Sequence, residues 1–269
     1  MNRSNRYFVK TLRKIALDLG SCMILTAPAL AQTASSAATP IPITIEANDT
    51  LEWNQTDGTY IAKGDAYVEQ GQANLRANHI VANYATEGET RDITRMTATG
   101  SVIYIEGENT AKGDKFDYDL TSNLYVLTGK NASVTGPKGT MTATESITYD
   151  LTDNDNRKVT AIGKAHYKNS DGRHVFGDKL IAYIGADGTL KTIDAYDNTK
   201  VITAQGTVAI ADKLNYIASK SMANLDGNVE ITDKENIMRG ARAKVDFDKE
   251  ISKIISGPTG KRVTGILKP

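Results

Sequence analysis

GDKFDY, residues 113–118, is one of seven related segments that decide the fold of this 269-residue chain. Each segment runs from a short polar stretch through an apolar residue and a spacer to an aromatic side chain. The final aromatics are 31 to 34 residues apart, and they are Trp53, Tyr84, Tyr118, Tyr149, Tyr183, Tyr216 and Phe247. Such a period indicates one supersecondary unit that buries its apolar face by stacking on its own copies. The repeat argues against an enzyme built around a single site.

Within each unit, apolar and polar residues alternate with period 2, as in the stretch from Tyr60 to Val68. This pattern predicts strands with one buried and one solvated face. Glycines punctuate the same period at Gly64, Gly100, Gly129, Gly163, Gly227 and Gly257. Two strands per unit give roughly 14–16 strands, and the tight turns between them favour antiparallel pairing. A parallel β-helix is the structural alternative.

The chain divides into three segments. Residues 1–31 have the basic, apolar and A-x-A order of a secretory signal peptide, and 32–41 form a flexible leader. Residues 42–267 form one β domain. An uncleaved membrane anchor is the alternative for the first segment, but its apolar run is shorter than the ~20 residues that span a bilayer.

The composition after residue 31 excludes several classes of protein. The sole cysteine, Cys22, lies in the signal segment, so no disulfide or thiol chemistry is expected. Without the five basic residues and one acidic residue of that segment, 27 basic and 31 acidic residues remain, a net charge near −4. This charge gives no reason to expect a nucleic-acid partner.

The candidate catalytic residues are few. His79, His166 and His174 lie in different repeats without metal-ligand spacing, so no metal site is expected. Asp117 and Asp119 flank Tyr118 on the opposite phase, which is typical of a solvated outer face rather than a pair of catalytic carboxylates. We therefore expect no catalytic residue, no cofactor and no enzymatic activity.

Alanine is frequent on the inward phase of these strands. The residues are Ala62, Ala66, Ala73, Ala77, Ala98 and Ala143. Alanine is a poor strand former and fills little volume. These alanines either face the tyrosines in a closed core or leave room for a ligand with long apolar tails.

The order of the motifs resembles the OstA-like periplasmic proteins of lipopolysaccharide transport, and in particular their soluble bridge component of LptA type. PITIEANDTLEW (42–53) resembles the opening strand of that family, the ADK-type segments resemble its repeat, and TGKRVTGIL (259–267) resembles its closing strand. Relative to the shorter members, this chain carries about one additional repeat.

The resemblance implies a twisted antiparallel β-jellyroll with an apolar groove between two sheets, and a protein that binds lipopolysaccharide in the periplasm. It also implies partners at the inner membrane, where a component is anchored, and at the outer-membrane translocon. The resemblance and the alternation together place these residues in the groove lining: Ile43, Ile45, Tyr60, Ala62, Ala66, Val68, Leu75, Tyr104, Phe116, Tyr118 and Leu120.

The first and last strands of such a sheet, about 42–47 and 261–267, have unpaired edges. We therefore expect head-to-tail self-association of this chain. The alternatives for function are a β-helical enzyme or binding module that acts on cell-envelope polysaccharide, and the membrane-anchored component of the same transport system.

Overall fold

The alternating segments form antiparallel β-strands in a computed structural model, which describes residues 41–86, 92–257 and 262–267. The predicted signal peptide and most of the leader lie outside the described residues. The strands are β1 (Thr44–Glu46), β2 (Thr50–Asn54), β3 (Thr59–Gln70), β4 (Ala73–Tyr84), β5 (Ile93–Glu106), β6 (Asn109–Asp119), β7 (Leu124–Thr128), β8 (Ala132–Gly136), β9 (Gly139–Ala143), β10 (Ser146–Asp150), β11 (Arg157–Asn169), β12 (His174–Ile184), β13 (Leu190–Ile202), β14 (Val208–Ile217), β15 (Met222–Asp233), β16 (Asn236–Asp246), β17 (Ile251–Ile255) and β18 (Thr264–Ile266). A single turn of 3₁₀ helix (Ala218–Lys220) follows β14.

The two halves of a long strand pair with different short neighbours. The first half of β3 pairs with β2, and its second half pairs with β1. In the same way β6 pairs with β7 and β8, β11 with β10 and β9, and β16 with β17 and β18. Each long strand therefore contributes one half to each of two facing layers. All 18 strands join one hydrogen-bonded network, and every pairing between them is antiparallel, which excludes the parallel β-helix.

In alternate long strands, the bend between the halves contains a pair of residues in the left-handed region. Gly64 and Asp65 have φ of 80° and 45°, and Gly227 and Asn228 have φ of 79° and 48°. The pairing register shifts at both places, so each bend is a β-bulge that turns the strand into the other layer. We call the line of these bends the spine.

The acidic residue of the ADK-type segments packs against the spine. A Cβ atom added to Gly227 would lie 2.1 Å from the Asp212 carboxylate. The Asn228 side-chain amide donates a hydrogen bond of 3.0 Å to that carboxylate. The periodic glycine and the periodic acidic residue therefore contact each other. Glycine is needed there because of its positive φ and because a Cβ atom would collide with the carboxylate.

The strand number exceeds the predicted 14–16. The excess comes from the pairs β1/β2, β7/β8, β9/β10 and β17/β18, each of which corresponds to one long strand interrupted at the spine. Counted as interrupted strands, they bring the total into the predicted range.

Small buried side chains flank two of the bends in the spine. Ala62 and Ala66 flank the first bend, and Ala161 and Ala165 flank a later one; each is at most 1% exposed. Alanine here lets the two layers approach each other closely. Larger side chains, among them Tyr104 and Tyr118, are buried farther along the strands, where the layers separate.

Candidate functional site

The space between the two layers is a groove bounded by the spine on one side and by two rows of hairpin turns on the other. The largest cavity illustrates the arrangement. Its lining includes the turn at 136–139 and residues 169–171 at the ends of one layer, and Ile184, Gly188 and Leu190 at the end of the other. We call these two rows of turns the rims.

Five cavities follow one another along the groove. Their volumes, from the N-terminal end, are about 30, 70, 290, 80 and 10 Å³. Neighbouring cavities share lining residues: Tyr104 and Phe116 join the first two, Val134 and Val159 join the second to the third, and Tyr167 joins the third to the fourth. The row is thus one apolar groove with constrictions.

Six of the eleven predicted lining residues come together around the first cavity: Ile43, Val68, Leu75, Tyr104, Phe116 and Tyr118. Tyr104 stacks on Phe116 with 5.5 Å between ring centroids. Tyr104 keeps the inward phase because the Gly100–Ser101 bulge inserts an extra residue before it.

The other five predicted residues line none of these cavities. Ala62 and Ala66 are buried at the spine, where they allow close approach rather than leave space. Ile45, Tyr60 and Leu120 are half-buried and pack against the core.

The third cavity, which we call the central chamber, is lined by residues that the sequence did not single out. They include Val134, Met141, Val159, Tyr167, Leu190 and Ile193. Except for Leu190, they continue the inward phase of their strands, so alternation alone indicates that they face the groove. The size of the chamber depends on which side chains face each other across the layers, and alternation does not encode this.

Buried polar groups interrupt the apolar lining near the second cavity. The Tyr104 hydroxyl donates a hydrogen bond of 3.1 Å to the Glu106 carboxylate, which is 6% exposed. Burial raises the pKa of Glu106 to about 7, although the hydrogen bond from Tyr104 opposes the shift. The rings of Tyr118 and Tyr125 stack at 4.3 Å, and burial raises the pKa of both hydroxyls.

Arginine side chains stand at the margin of the groove. Arg157 is 9% exposed and donates a hydrogen bond of 3.1 Å to the Ala186 carbonyl oxygen. Arg173 places its guanidinium carbon 5.4 Å from the centre of the Phe247 ring, which belongs to the opposite rim. Both cations therefore lie beside apolar space.

Asp117 and Asp119 have structural roles on the outer face. Asp117 forms ion pairs with Lys115 and Arg95 and accepts a hydrogen bond from Thr97. Asp119 accepts the backbone N–H groups of Thr121 and Ser122 in the following turn.

Two of the three histidines contact each other, although the sequence repeat assigns all three to different units. His166 and His174 occupy adjoining strands, with 2.9 Å between their Nε2 and Nδ1 atoms. The β11–β12 hairpin brings them together, which a linear spacing did not reveal. Among the residues described, no group of three or more His, Cys, Asp or Glu side chains could hold a metal ion.

The described part of the chain contains no helix that is long and apolar enough to span a membrane.

Comparison with known proteins supports the resemblance found in the repeats. A family model described as "LptA/(LptD N-terminal domain) LPS transport protein" matches residues 44–155. No curated protein matches the sequence. The solved structure of LptH, "the LptA homologous periplasmic component of the conserved lipopolysaccharide transport device from Pseudomonas aeruginosa", is 15% identical. That match covers 85% of this chain and 96% of LptH, with a TM-score of 0.23.

The family match spans residues 44–155, so it includes all of the lining of the first two cavities except Ile43 and Val159, and only the N-terminal side of the central chamber. Over residues 44–155, this chain is thus similar to the LptA and LptD N-terminal family of lipopolysaccharide transport proteins.

Proposed function

We propose that the protein carries the acyl chains of lipopolysaccharide in its groove and forms part of a bridge between the inner and outer membranes. The observation that carries the proposal is the row of cavities with apolar linings along the groove. Apolar clefts with few polar groups are typical of lipid and small-molecule sites. The family match supports lipopolysaccharide as the cargo.

The open rims suit such a cargo. Acyl chains can enter sideways between the two rows of turns, while a large hydrophilic headgroup stays in water. The chains do not need to thread through either end of the molecule. Within this proposal, residues 42–267 act as one domain in the periplasm.

Photo-crosslinking at paired positions tests the proposal. Tyr118 and Tyr167 point into the groove, and their sequence neighbours Asp117 and Lys168 point outward. A photoreactive residue at 118 or 167 should capture lipopolysaccharide, and one at 117 or 168 should not. Equal capture at inward and outward positions would contradict an internal groove.

Head-to-tail association is the second part of the proposal. Among the described residues, β1 and β2 pair only with β3 at one end of the molecule, and β17 and β18 pair only with β16 at the other. Leu51 and Trp53 are exposed at the first end, and Ile251 and Ile266 at the second. An unpaired edge with apolar side chains favours addition of a further strand from another chain.

A further inference from the structure

Two neighbouring turns place cations at the mouth of the central chamber. Lys138 lies in the β8–β9 turn, and Arg173 ends the β11–β12 turn. The Lys138 carbonyl oxygen accepts hydrogen bonds from the Ser170 backbone N–H at 3.0 Å and from the Tyr167 hydroxyl at 3.1 Å. These bonds fix the two turns side by side on one rim.

Arg173 reaches across the groove from that rim. It is half-buried, it lines the fourth cavity, and its guanidinium lies over Phe247, beyond the end of β16 on the opposite rim. Tyr167 and Leu190 line both this cavity and the central chamber. Arg173 therefore lies beside a continuous apolar space.

Neither cation is neutralised by a carboxylate within the described part of the chain. The ion pairs there involve other basic residues: Arg76, Arg95, Lys115, Lys158, Arg239 and Lys249. Asp171 is the acid in the same turn, but its carboxylate accepts a hydrogen bond from the Asn169 amide instead. An unpaired arginine that is ordered on an aromatic ring keeps its fork of donors free for an anion.

We propose that Lys138 and Arg173 bind the phosphate of a lipid whose alkyl chain occupies the central chamber. This inference rests on the proposed function and adds a headgroup site to it. Arginine can hold a phosphate through two parallel hydrogen bonds, while lysine adds a mobile point charge. Asp171 lowers the affinity of the site by repelling the anion.

The test compares two probes with the same tail. Calorimetric titration of the purified protein with decyl phosphate and with decyl glucoside separates recognition of the headgroup from binding of the chain. Arg173→Gln and Lys138→Gln should each weaken decyl phosphate binding by at least about tenfold, because each removes a charge-assisted hydrogen bond to the phosphate. Binding of decyl glucoside should change by less than about twofold on the same scale.

Two further variants sharpen the test. Asp171→Asn should strengthen decyl phosphate binding, the opposite sign to the other two substitutions. Lys179→Gln is the matched control, because Lys179 also lies over an aromatic ring, that of Tyr196 at 5.9 Å, but is exposed on the outer face. It should leave binding of both probes unchanged.

The outcomes are distinguishable. Equal loss of both probes in Arg173→Gln, or unchanged decyl phosphate binding in both charge-removal variants, would overturn the headgroup site and leave the lipid carrier standing. Failure of the unmodified protein to bind either probe would overturn the carrier, and the headgroup site with it.

Discussion

At the scale of single residues, Glu106 is a buried carboxyl group at the end of β5, next to residues that line the groove. It pairs across the β5–β6 hairpin with Asn109, which is also buried. Burial penalises the charged form, and this is why the pKa of Glu106 rises to about 7. The native state therefore holds this proton more tightly than the unfolded chain does.

This difference predicts a dependence of stability on pH. The contribution of Glu106 is fully present below the unfolded pKa, near 4.5, and is lost as pH rises through about 7. Glu106→Gln should be more stable than the unmodified protein at pH 8 by roughly 2 kcal/mol, since one pKa unit corresponds to about 1.4 kcal/mol and partial access of water reduces the full value. At pH 4 the two proteins should be equally stable.

Urea denaturation at both pH values measures this effect. Glu108→Gln is the control, because Glu108 carries the same charge two residues later but is exposed in the turn. Its stability should follow that of the unmodified protein at both pH values. A Glu106→Gln variant that is less stable at pH 8 would show that the carboxylate is needed in its charged form.

At the scale of elements, the two-residue bend directs one strand into both layers, and the groove lies between these layers. Gly227→Ala should destabilise the protein by roughly 2–3 kcal/mol. Part of that loss comes from a left-handed alanine, which costs about 1–2 kcal/mol, and the rest from displacement of Asp212 from its hydrogen bond with Asn228. Thermal unfolding followed by circular dichroism measures the loss.

Gly206→Ala separates these two contributions. Gly206 has φ of 91°, but nothing lies within 4 Å of the position its Cβ would take. This variant should show only the conformational part, about 1–2 kcal/mol. Equal losses in the two variants would mean that the contact with Asp212 contributes nothing to stability.

The sequence predicted the strands well and the bends poorly. Four of the six periodic glycines, Gly64, Gly100, Gly163 and Gly227, lie at bends within long strands. The bend in β13 contains no glycine: Asp197 and Asn198 adopt φ of 56° and 49° there. Asp and Asn tolerate this region, but they are also common in ordinary turns, so composition could not distinguish a bend from a turn.

Prediction of the groove lining was limited in a similar way. Alternation identified the inward phase, which includes Ala62, Ala66 and Tyr118 alike. It could not tell that the alanines lie where the layers converge and Tyr118 where they separate, because that depends on distance from the spine. The family match, which ends at residue 155, could not identify the C-terminal lining of the central chamber.

At the scale of the whole molecule, the two ends expose apolar side chains on strands with one unpaired edge. Ile251→Asp and Ile266→Asp should each weaken self-association by at least about tenfold, because a carboxylate on an edge strand opposes pairing with another chain. Sedimentation velocity over a concentration series gives the association constant. Both residues are largely exposed, at 56% and 42%, so the monomer should stay folded.

Ile210→Asp is the control for this measurement. Ile210 is 41% exposed, close to the value for Ile266, but it lies within β14, which has neighbours on both sides. Its substitution should leave association unchanged. Equal weakening by all three substitutions would point to association through the sheet faces.

Because each long strand contributes to both layers, the length and the width of the molecule are independent. The length of the strands determines the width of the molecule, and the number of strands determines its length. Each added hairpin extends the molecule by roughly 10 Å, twice the spacing between neighbouring strands, without changing the cross-section. A single residue inserted within a half-strand, by contrast, would turn every later side chain of that half to the opposite face. The length of the molecule can therefore change only in steps of one hairpin.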